Sequence, residues 1–519
     1  MTPQLVDIQV IRDERGDLNV IEAAKLAGFD FKRVYYFSGG DSDLKRGAHA
    51  HKQLKQLIVC LRGSVKITLE GDYGRKDYIL DKDSQGLRVP AGSWRDLSDF
   101  SDDALVMVFA SHSYDADDYI RDYDAFKTWL AAGAPANAPI AYVPMDRSVR
   151  ALEGDFKDAL DRVLKKSQFI GGDFVKEFEA AFAAYCGADH AIGCGNGLDA
   201  LALILEGYGI GAGDEVIVPA NSFIATALAV SKLGATPIFV DCDATTYGID
   251  VKAAEKAITS RTKAIIPVHL YGIAADIAPL MVLADKHNLK IIEDAAQAHG
   301  TEYKGKRAGA LGHAAAFSFY PTKNLGALGD AGAVVTSDAA LAAKVRLLGS
   351  YGAVKKYFHE VPGWNTRLDP LQAAFLSVKL THLDEWNTRR RVLAAVYQSM
   401  LGGCNQVTLP ASLKDSVPVW HVYPVFVADG KRDALQTYLK DKGIDTLVHY
   451  PVPIHKQKAY GELGKGYSLP HAEASAASLL SLPHAEASAA SLLSLPLDPY
   501  HSDDEIKRVA QTVLDFFKG

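Results

Sequence analysis

Two rhythms of apolar and polar residues divide the 519-residue chain. Up to about residue 130, short β-rich runs recur with Gly, Asp and Ser between them: RVYYF (33–37), QLIVCL (56–61), SVKITLE (64–70), GLRVPAG (86–92) and ALVMVFAS (104–111). That rhythm predicts a small sandwich or barrel. Later the pattern changes. Seven apolar runs are mostly separated by helical segments: AIGCG (191–195), EVIVPA (215–220), TPIFVDC (236–242), KAIIPVHL (263–270), KIIED (290–294), AAAFSFY (314–320) and AGAVVTS (331–337). They predict a mainly parallel sheet covered on both faces. From about residue 385, helices mix with shorter strands in what reads as a smaller lobe. Between the halves, AAGAPANAPIAYVP (131–144) has no periodic apolar pattern and reads as a linker. The expected domains are therefore 1–130, a large lobe at 145–384 and a small lobe at 385–519.

One repeat interrupts this plan, since SLPHAEASAASLL at 468–480 recurs identically at 481–493. Solenoid repeats are longer and more numerous. Thirteen residues advance a helix by about 3.6 turns, so a second copy cannot keep the same face inward by simple extension. The expectation is an added surface helix or loop with no chemistry in it. Composition narrows the function classes. With 63 acids against 56 bases, the net charge of −7 supplies no basic footprint, and nucleic acid is not an expected partner. Five widely spaced cysteines without a CxxC pair indicate neither a disulfide framework nor structural zinc, and fit a reducing cytoplasm. The start, MTPQLVDIQVIRDERGD, carries acids where a signal peptide needs an apolar core. No apolar run approaches the ~18 residues of a membrane span, so no membrane association is expected.

Candidate chemistry in the first half centres on His49 and His51. Two residues apart in a strand, they project to one face. The spacing matches the first metal motif of cupin barrels, with Gln56 where an acid belongs and Gly63 after it. A fourth ligand is expected shortly after P-x-G; here Pro90-Ala-Gly92-Ser-Trp94 offers an indole. An amide and an indole do not replace carboxylate and imidazole at a tight divalent site, so acid/base chemistry without metal is expected. DERGDL, KRVYYF, RGAHAHKQLKQ, the Trp94 strand and SYDADDYIRDYDAF resemble the dTDP-4-keto-6-deoxyglucose 3,4-ketoisomerases over about residues 3–130. The resemblance implies an all-β cupin (jelly-roll) in which His49 and His51, near neutral pKa, serve as base and acid. It further assigns Tyr35, Arg46 and Gln56 to substrate binding.

In the second half four elements follow in order. Gly195-Asn196-Gly197-Leu198 lies between a strand and a helix and offers backbone N–H groups to a phosphate. Phe223 follows a strand, where it is placed to stack on a ring. Asp294 ends KIIED on the ligand side of a parallel sheet. Lys323 follows AAAFSFY and is placed for a Schiff base once burial lowers its pKa. Together they resemble the DegT/DnrJ/EryC1/StrS sugar aminotransferases from about residue 142 to the C-terminus. The resemblance implies an α/β fold-type I architecture with pyridoxal 5'-phosphate as cofactor. Lys323 would bind it, Asp294 pair with its pyridine nitrogen, Gln297 lie near its ring hydroxyl and Phe223 stack on it. Ser318, with the Gly197 and Leu198 backbone, would hold its phosphate. GWNTRLDPLQ (363–372) matches the family's GxNxRLDxLQ, whose asparagine, Asn365, reaches the phosphate across a homodimer with shared active sites. Tyr351, Lys356, His449 and His455 fall in stretches like those of members acting on C3 of a nucleotide-linked sugar.

The fused halves imply one bifunctional enzyme. The cupin delivers a 3-keto sugar from dTDP-4-keto-6-deoxyglucose, and the aminotransferase converts it to a dTDP-3-amino-3,6-dideoxyhexose with L-glutamate as donor. Such sugars decorate bacterial surface polysaccharide or antibiotics. Two alternatives stay open: a C4-specific aminotransferase fused to an epimerase, or to a cupin that only binds the nucleotide sugar.

Overall fold

In the computed structural model, which describes residues 3–14, 16–22, 26–38, 46–71, 73–131, 139–461 and 482–518, the short runs of the first half form two five-stranded antiparallel sheets. One contains, in spatial order, Gln4–Asp7, Gln85–Val89, Gln56–Arg62, Leu105–Ala110 and Arg33–Ser38. The other contains Tyr119–Ile120, Arg46–His51, Trp94–Ser98, Val65–Gly71 and Gly74–Leu80. Alternation assigns the faces. Ile58, Cys60, Val106 and Val108 meet Ile67, Leu69 and Leu97 in the core between the sheets. Leu57, Val59 and Phe109 point the other way, against Ile8 and Ala27. This is the cupin-like architecture the resemblance implied. The chain divides into two compact units, Met1–Ala138 and Pro139–Gly519.

All seven apolar runs of the second half become strands of one sheet. Its spatial order is His190–Cys194, Gly332–Thr336, Ala314–Ser318, Lys290–Asp294, Thr262–Ile265, Glu215–Pro219 and Thr236–Val240. The last five run parallel, while Gly332–Thr336 is antiparallel to both its neighbours. Successive residues serve opposite layers, as burial on both faces requires. Ala315, Phe317, Ala333 and Val335 pack with Phe156, Phe178, Phe182 and Phe375 of the helices Glu153–Lys166, Asp173–Cys186 and Pro370–Leu380. Ala314, Ala316 and Val334 pack with the helix Gly197–Gly207 on the other face. The small lobe joins the three-stranded sheet Val407–Thr408, Tyr423–Val427 and Leu492–Leu495 to the helices Leu383–Leu401, Arg432–Asp441 and Asp503–Lys518. Its core continues into large-lobe residues such as Val268 and Tyr271. Among the described residues no helix is long and apolar enough to cross a membrane.

Two expectations change. The linker does not extend to residue 144, because Ile140 is buried, pairs with Ile444 and joins the small-lobe core. An apolar side chain in a Pro-rich stretch has no periodicity to announce it. The second copy of the repeat is no surface addition either. Residues 482–493 supply the helix Pro483–Ser491 and the start of the strand Leu492–Leu495, and Ala485, Leu492 and Leu493 are fully buried. The first copy, 468–480, lies outside the described residues. Glu486 of the second copy ties its helix to Lys456 (2.5 Å) and His455 (3.3 Å).

Removing 468–480 leaves a chain identical to one lacking 481–493, so the remaining copy can fill the buried seat. Loop-closure entropy changes slowly with length, and the shorter connection alters stability by about 1 kcal/mol or less. Scanning calorimetry of the deletion variant is expected to show a Tm within about 4 °C of the full chain. A larger fall would mean that both copies are needed.

Candidate active sites

In the first unit, the strand Arg46–His51 is bent at its entry. Gly47 has φ 102° and lies so close to Arg95 that a Cβ would come within 2.5 Å of the Arg95 carbonyl oxygen. The pairing with Trp94–Ser98 shifts register between Arg95 and Asp96. These irregularities aim His49 and His51 at one another, with ring centroids 5.1 Å apart and Tyr119 against both. A cavity of about 260 Å³ opens there, lined among others by Tyr35, Arg46, His49, Gln56 and Arg95. His51, only 3% exposed, sits behind. Gln56 Nε2 donates to the Tyr35 hydroxyl at 2.9 Å, and the Arg46 guanidinium lies over Phe37.

Hydrogen bonds fix both imidazoles. His49 Nδ1–H donates to the Gly47 carbonyl at 2.6 Å, because a carbonyl only accepts. His51 Nδ1–H donates to Asp118 Oδ2 at 2.9 Å. Both Nε2 atoms then accept from one nitrogen of Arg95, at 2.5 and 3.1 Å. The imidazoles are not near neutral pKa as the resemblance implied. Burial first, then the Arg95 charge, lowers His49 to about 4 and His51 to about 2. Both rest neutral, with basic nitrogens toward the cavity side. Trp94 also departs from its expected place, since it packs outward on Tyr123 and Phe126 while Arg95 takes the inward position. Period-two alternation from Leu97, which lines the same cavity, was the signal that could have found Arg95.

In the second unit four strand ends converge. The helix Gly197–Gly207 starts with Asn196 accepting from Asp199 N at 2.9 Å, and its first turn bond runs from Ala200 N to Asn196 O. The N–H groups of Gly197 and Leu198 precede that bond. A Cβ on Gly197 would come within 2.8 Å of Ser318 Cβ, so only glycine allows the helix start and the Ser318 hydroxyl to form one cradle. Asp294, 7% exposed, accepts from Thr226 Oγ1 at 2.8 Å and from Ala296 N at 3.3 Å. Burial raises its pKa. Lys323 is lowered to about 8 by burial, against an opposing pull from Asp294. Its Nζ lies 3.5 Å from His421 Nε2. His421 Nδ1–H donates to Asn324 Oδ1, whose amide nitrogen is committed to Asn387 and Val419. Gln297 accepts from Tyr271 N (2.6 Å) and donates to the Tyr450 hydroxyl (3.1 Å), while Phe223, 54% exposed, faces Tyr450.

These groups fit pyridoxal phosphate: an anion cradle, a buried carboxylate suited to a protonated ring nitrogen, a low-pKa amine and an open aromatic face. Beside them, His449 is bonded to Ser494 Oγ at 2.9 Å and lowered to about 4 by burial. Other predicted residues stand apart. Asn365 and Lys356 are exposed, with Lys356 over the Tyr357 ring. Tyr351 lies under the Arg367 guanidinium, and His455 turns toward Glu486. None of these four is brought into hydrogen-bonding contact with Lys323 among the described residues. Thr226, His421 and Tyr450 were not found from sequence; His421 comes from 98 residues away in the chain, beyond the reach of any local pattern.

Residues 150–514 match the DegT/DnrJ/EryC1/StrS aminotransferase family, and residues 1–131 match the FdtA family, described as WxcM-like, C-terminal. A dTDP-3-amino-3,4,6-trideoxy-alpha-D-glucose transaminase of Streptomyces venezuelae is 50% identical over 343 residues, covering 66% of this chain and 90% of that protein. A dTDP-3-amino-3,6-dideoxy-alpha-D-galactopyranose transaminase of Aneurinibacillus thermoaerophilus is 49% identical over 359 residues, 69% and 94% of the two chains. Among solved structures, S. venezuelae DesV in complex with a ketimine intermediate superposes with a TM-score of 0.69 at 46% identity, covering 73% of this chain and 99% of that one. NtdA from Bacillus subtilis with bound cofactor PMP gives 0.66 at 33% identity, covering 73% and 86%. With the cradle, the buried carboxylate and the lysine in one place, the chain belongs to the DegT/DnrJ/EryC1/StrS family of pyridoxal-phosphate aminotransferases, carrying a WxcM-like cupin domain ahead of it.

Proposed function

We propose that this chain converts dTDP-4-keto-6-deoxyglucose to a dTDP-3-amino-3,6-dideoxyhexose in two steps, a 3,4-ketone migration in the cupin and a transamination at C3 in the second unit. The observation that carries the reading is the union, in one chain, of an FdtA-type domain at 1–131 and an aminotransferase at 150–514. Transamination at C3 needs a carbonyl at C3, and the first domain is the kind that would place it there. The names of the two transaminases above, both 3-amino sugars, support the same carbon.

In the cupin, His49 removes the C3 proton at Nε2, the nitrogen left basic by the bond from Nδ1 to Gly47. His51 is the second imidazole of the pair, and Tyr35, Gln56 and Arg46 hold the sugar around the cavity. In the second unit, bound pyridoxal phosphate supplies an electron sink and carries the amino group from L-glutamate to the sugar. Gly197, Leu198 and Ser318 would bind its phosphate, Asp294 would pair with the ring nitrogen, Gln297 would lie at the ring hydroxyl and Phe223 would cover one face. Lys323 binds the cofactor and moves protons at Nζ, whose lowered pKa keeps a useful neutral fraction near pH 7. His449, beside these groups, would face the sugar, and the family resemblance extends that role to Tyr351, Lys356 and His455, which stand apart within one chain. A homodimer brings Asn365 to the partner's phosphate site, which accounts for its exposure here, and the exposed Phe169, Ile170, Tyr357 and Phe358 supply apolar surface for that contact.

NMR of the product made by the full chain from dTDP-4-keto-6-deoxyglucose, glutamate and cofactor is expected to place nitrogen on C3; nitrogen on C4 would overturn the reading. Lys323→Ala should lose the absorbance of lysine-bound cofactor and at least 1,000-fold in amino transfer, and a persisting band would mean another lysine binds it. The pH dependence of solvent deuterium uptake at C3 has a defined sign. Because burial, then Arg95 and Arg121, outweigh the raising effect of the bond to Gly47 and leave His49 near 4, uptake should stay level from neutrality to about pH 5 and fall as His49 is protonated. A loss centred near the ordinary imidazole value of about 6.5 would contradict this environment.

A further inference from the structure

Arg95 is a buried cation at the edge of the cupin cavity, 6% exposed, on the strand Trp94–Ser98. Among the described residues no carboxylate forms a salt bridge with it. Its hydrogen-bonding neighbours are two neutral imidazoles and the Tyr35 hydroxyl. A desolvated guanidinium surrounded by neutral acceptors is costly and has unspent attraction for an anion.

The imidazoles can accept from Arg95 only as their Nδ1–H tautomers. For His49 the Gly47 carbonyl enforces that form. For His51 the enforcing group is Asp118, in the turn Ala116–Asp118. Three donors converge on its two oxygens: His51 Nδ1 at 2.9 Å and Leu54 N at 3.3 Å on Oδ2, and Gln53 N at 2.7 Å on Oδ1. Only a carboxylate can accept all three. An amide there would turn an NH₂ toward one of them, and relief comes most readily when His51 moves its proton to Nε2, which then opposes an Arg95 N–H.

We propose that Arg95 binds the oxygen on which negative charge develops during ketone migration, and that Asp118, through His51, is the residue that positions it. This rests on the isomerase reading above. The C3–H bond breaks and its proton passes to His49 Nε2; the released pair forms the C3=C4 bond, and the carbonyl pair moves onto the C4 oxygen. The His49 Nε2 lone pair is open to that proton only as the Arg95 N–H leaves it, and the same N–H turns to the developing oxyanion. The O3 proton then moves to O4, the O3 pair forms the C3 carbonyl, and the C3=C4 pair takes the proton from His49 onto C4, which returns the imidazole to its neutral form. No oxidant or reductant is required.

The test uses the full chain. Arg95→Met should lower kcat for solvent deuterium uptake by about 100-fold or more with KM changed less than about threefold, the pattern of a lost oxyanion donor. In ¹⁵N-histidine spectra, with His51 assigned by difference from His51→Gln, wild type should show the Nδ1–H form and Asp118→Asn the Nε2–H form, with kcat reduced. Unchanged kcat in Arg95→Met, or an unchanged His51 tautomer in Asp118→Asn, overturns the proposal while leaving the isomerase reading intact. Absence of deuterium uptake by the wild type overturns both.

Discussion

The large lobe depends on how a single strand end divides two adjacent carboxylates. Glu293 and Asp294 point to opposite faces of Lys290–Asp294. Behind the sheet, the Glu293 oxygens accept from His269 Nε2 and from the N–H groups of Gly309, Leu311 and Gly312, all at 2.8–2.9 Å. His269 cannot turn away, because its Nδ1 accepts from Ala275 N. A dehydrated carboxylate with four donors leaves the strand one permitted register; a slip of one residue would exchange the two acids. That would carry Asp294 away from Lys323 and Thr226. The cofactor site is thus held from the rear by a group that never meets a ligand.

The same separation of labour marks the cupin. Gly47, at the cavity wall, permits the backbone approach that aims His49, and Asp118, outside the cavity lining, settles the proton of His51. In both units the candidate site side chains are desolvated, and desolvation is the leading cause of the lowered Lys323, His49 and His51. An amine made partly neutral suits attack on a carbonyl, and imidazoles kept neutral suit proton removal.

How much of this was legible depends on whether the signal was local. The seven buried strands were, because parallel sheets covered on both faces write themselves as continuous apolar runs. The places of Gly197, Asp294 and Lys323 were also legible, each following from its distance from a strand end, while Ser318 came from the family resemblance alone. Arg95 is not marked by the metal motif, which counts to Trp94, whereas the pleat turns the next residue inward. Asp118 and His421 come from distant segments, and their partners are set by tertiary packing. The imidazole pKa values were misjudged for a related reason: burial and a neighbouring guanidinium are properties of the assembled barrel.

The repeat shows how the small lobe reads its own sequence. The two copies are indistinguishable in themselves, so nothing within the 13 residues can select which one lies along Tyr423–Val427. Selection comes from the residues C-terminal to the second copy: Pro496 O accepts from Tyr397, Leu497 O from Arg390, and Asp498 pairs with Arg390 at 2.9 Å. After the first copy the chain continues Pro483-His484-Ala485, which lacks that aspartate. The last copy is therefore always the one that fits, whatever number precede it. The seat is thus read from its C-terminal end, by residues that lie outside the repeat itself.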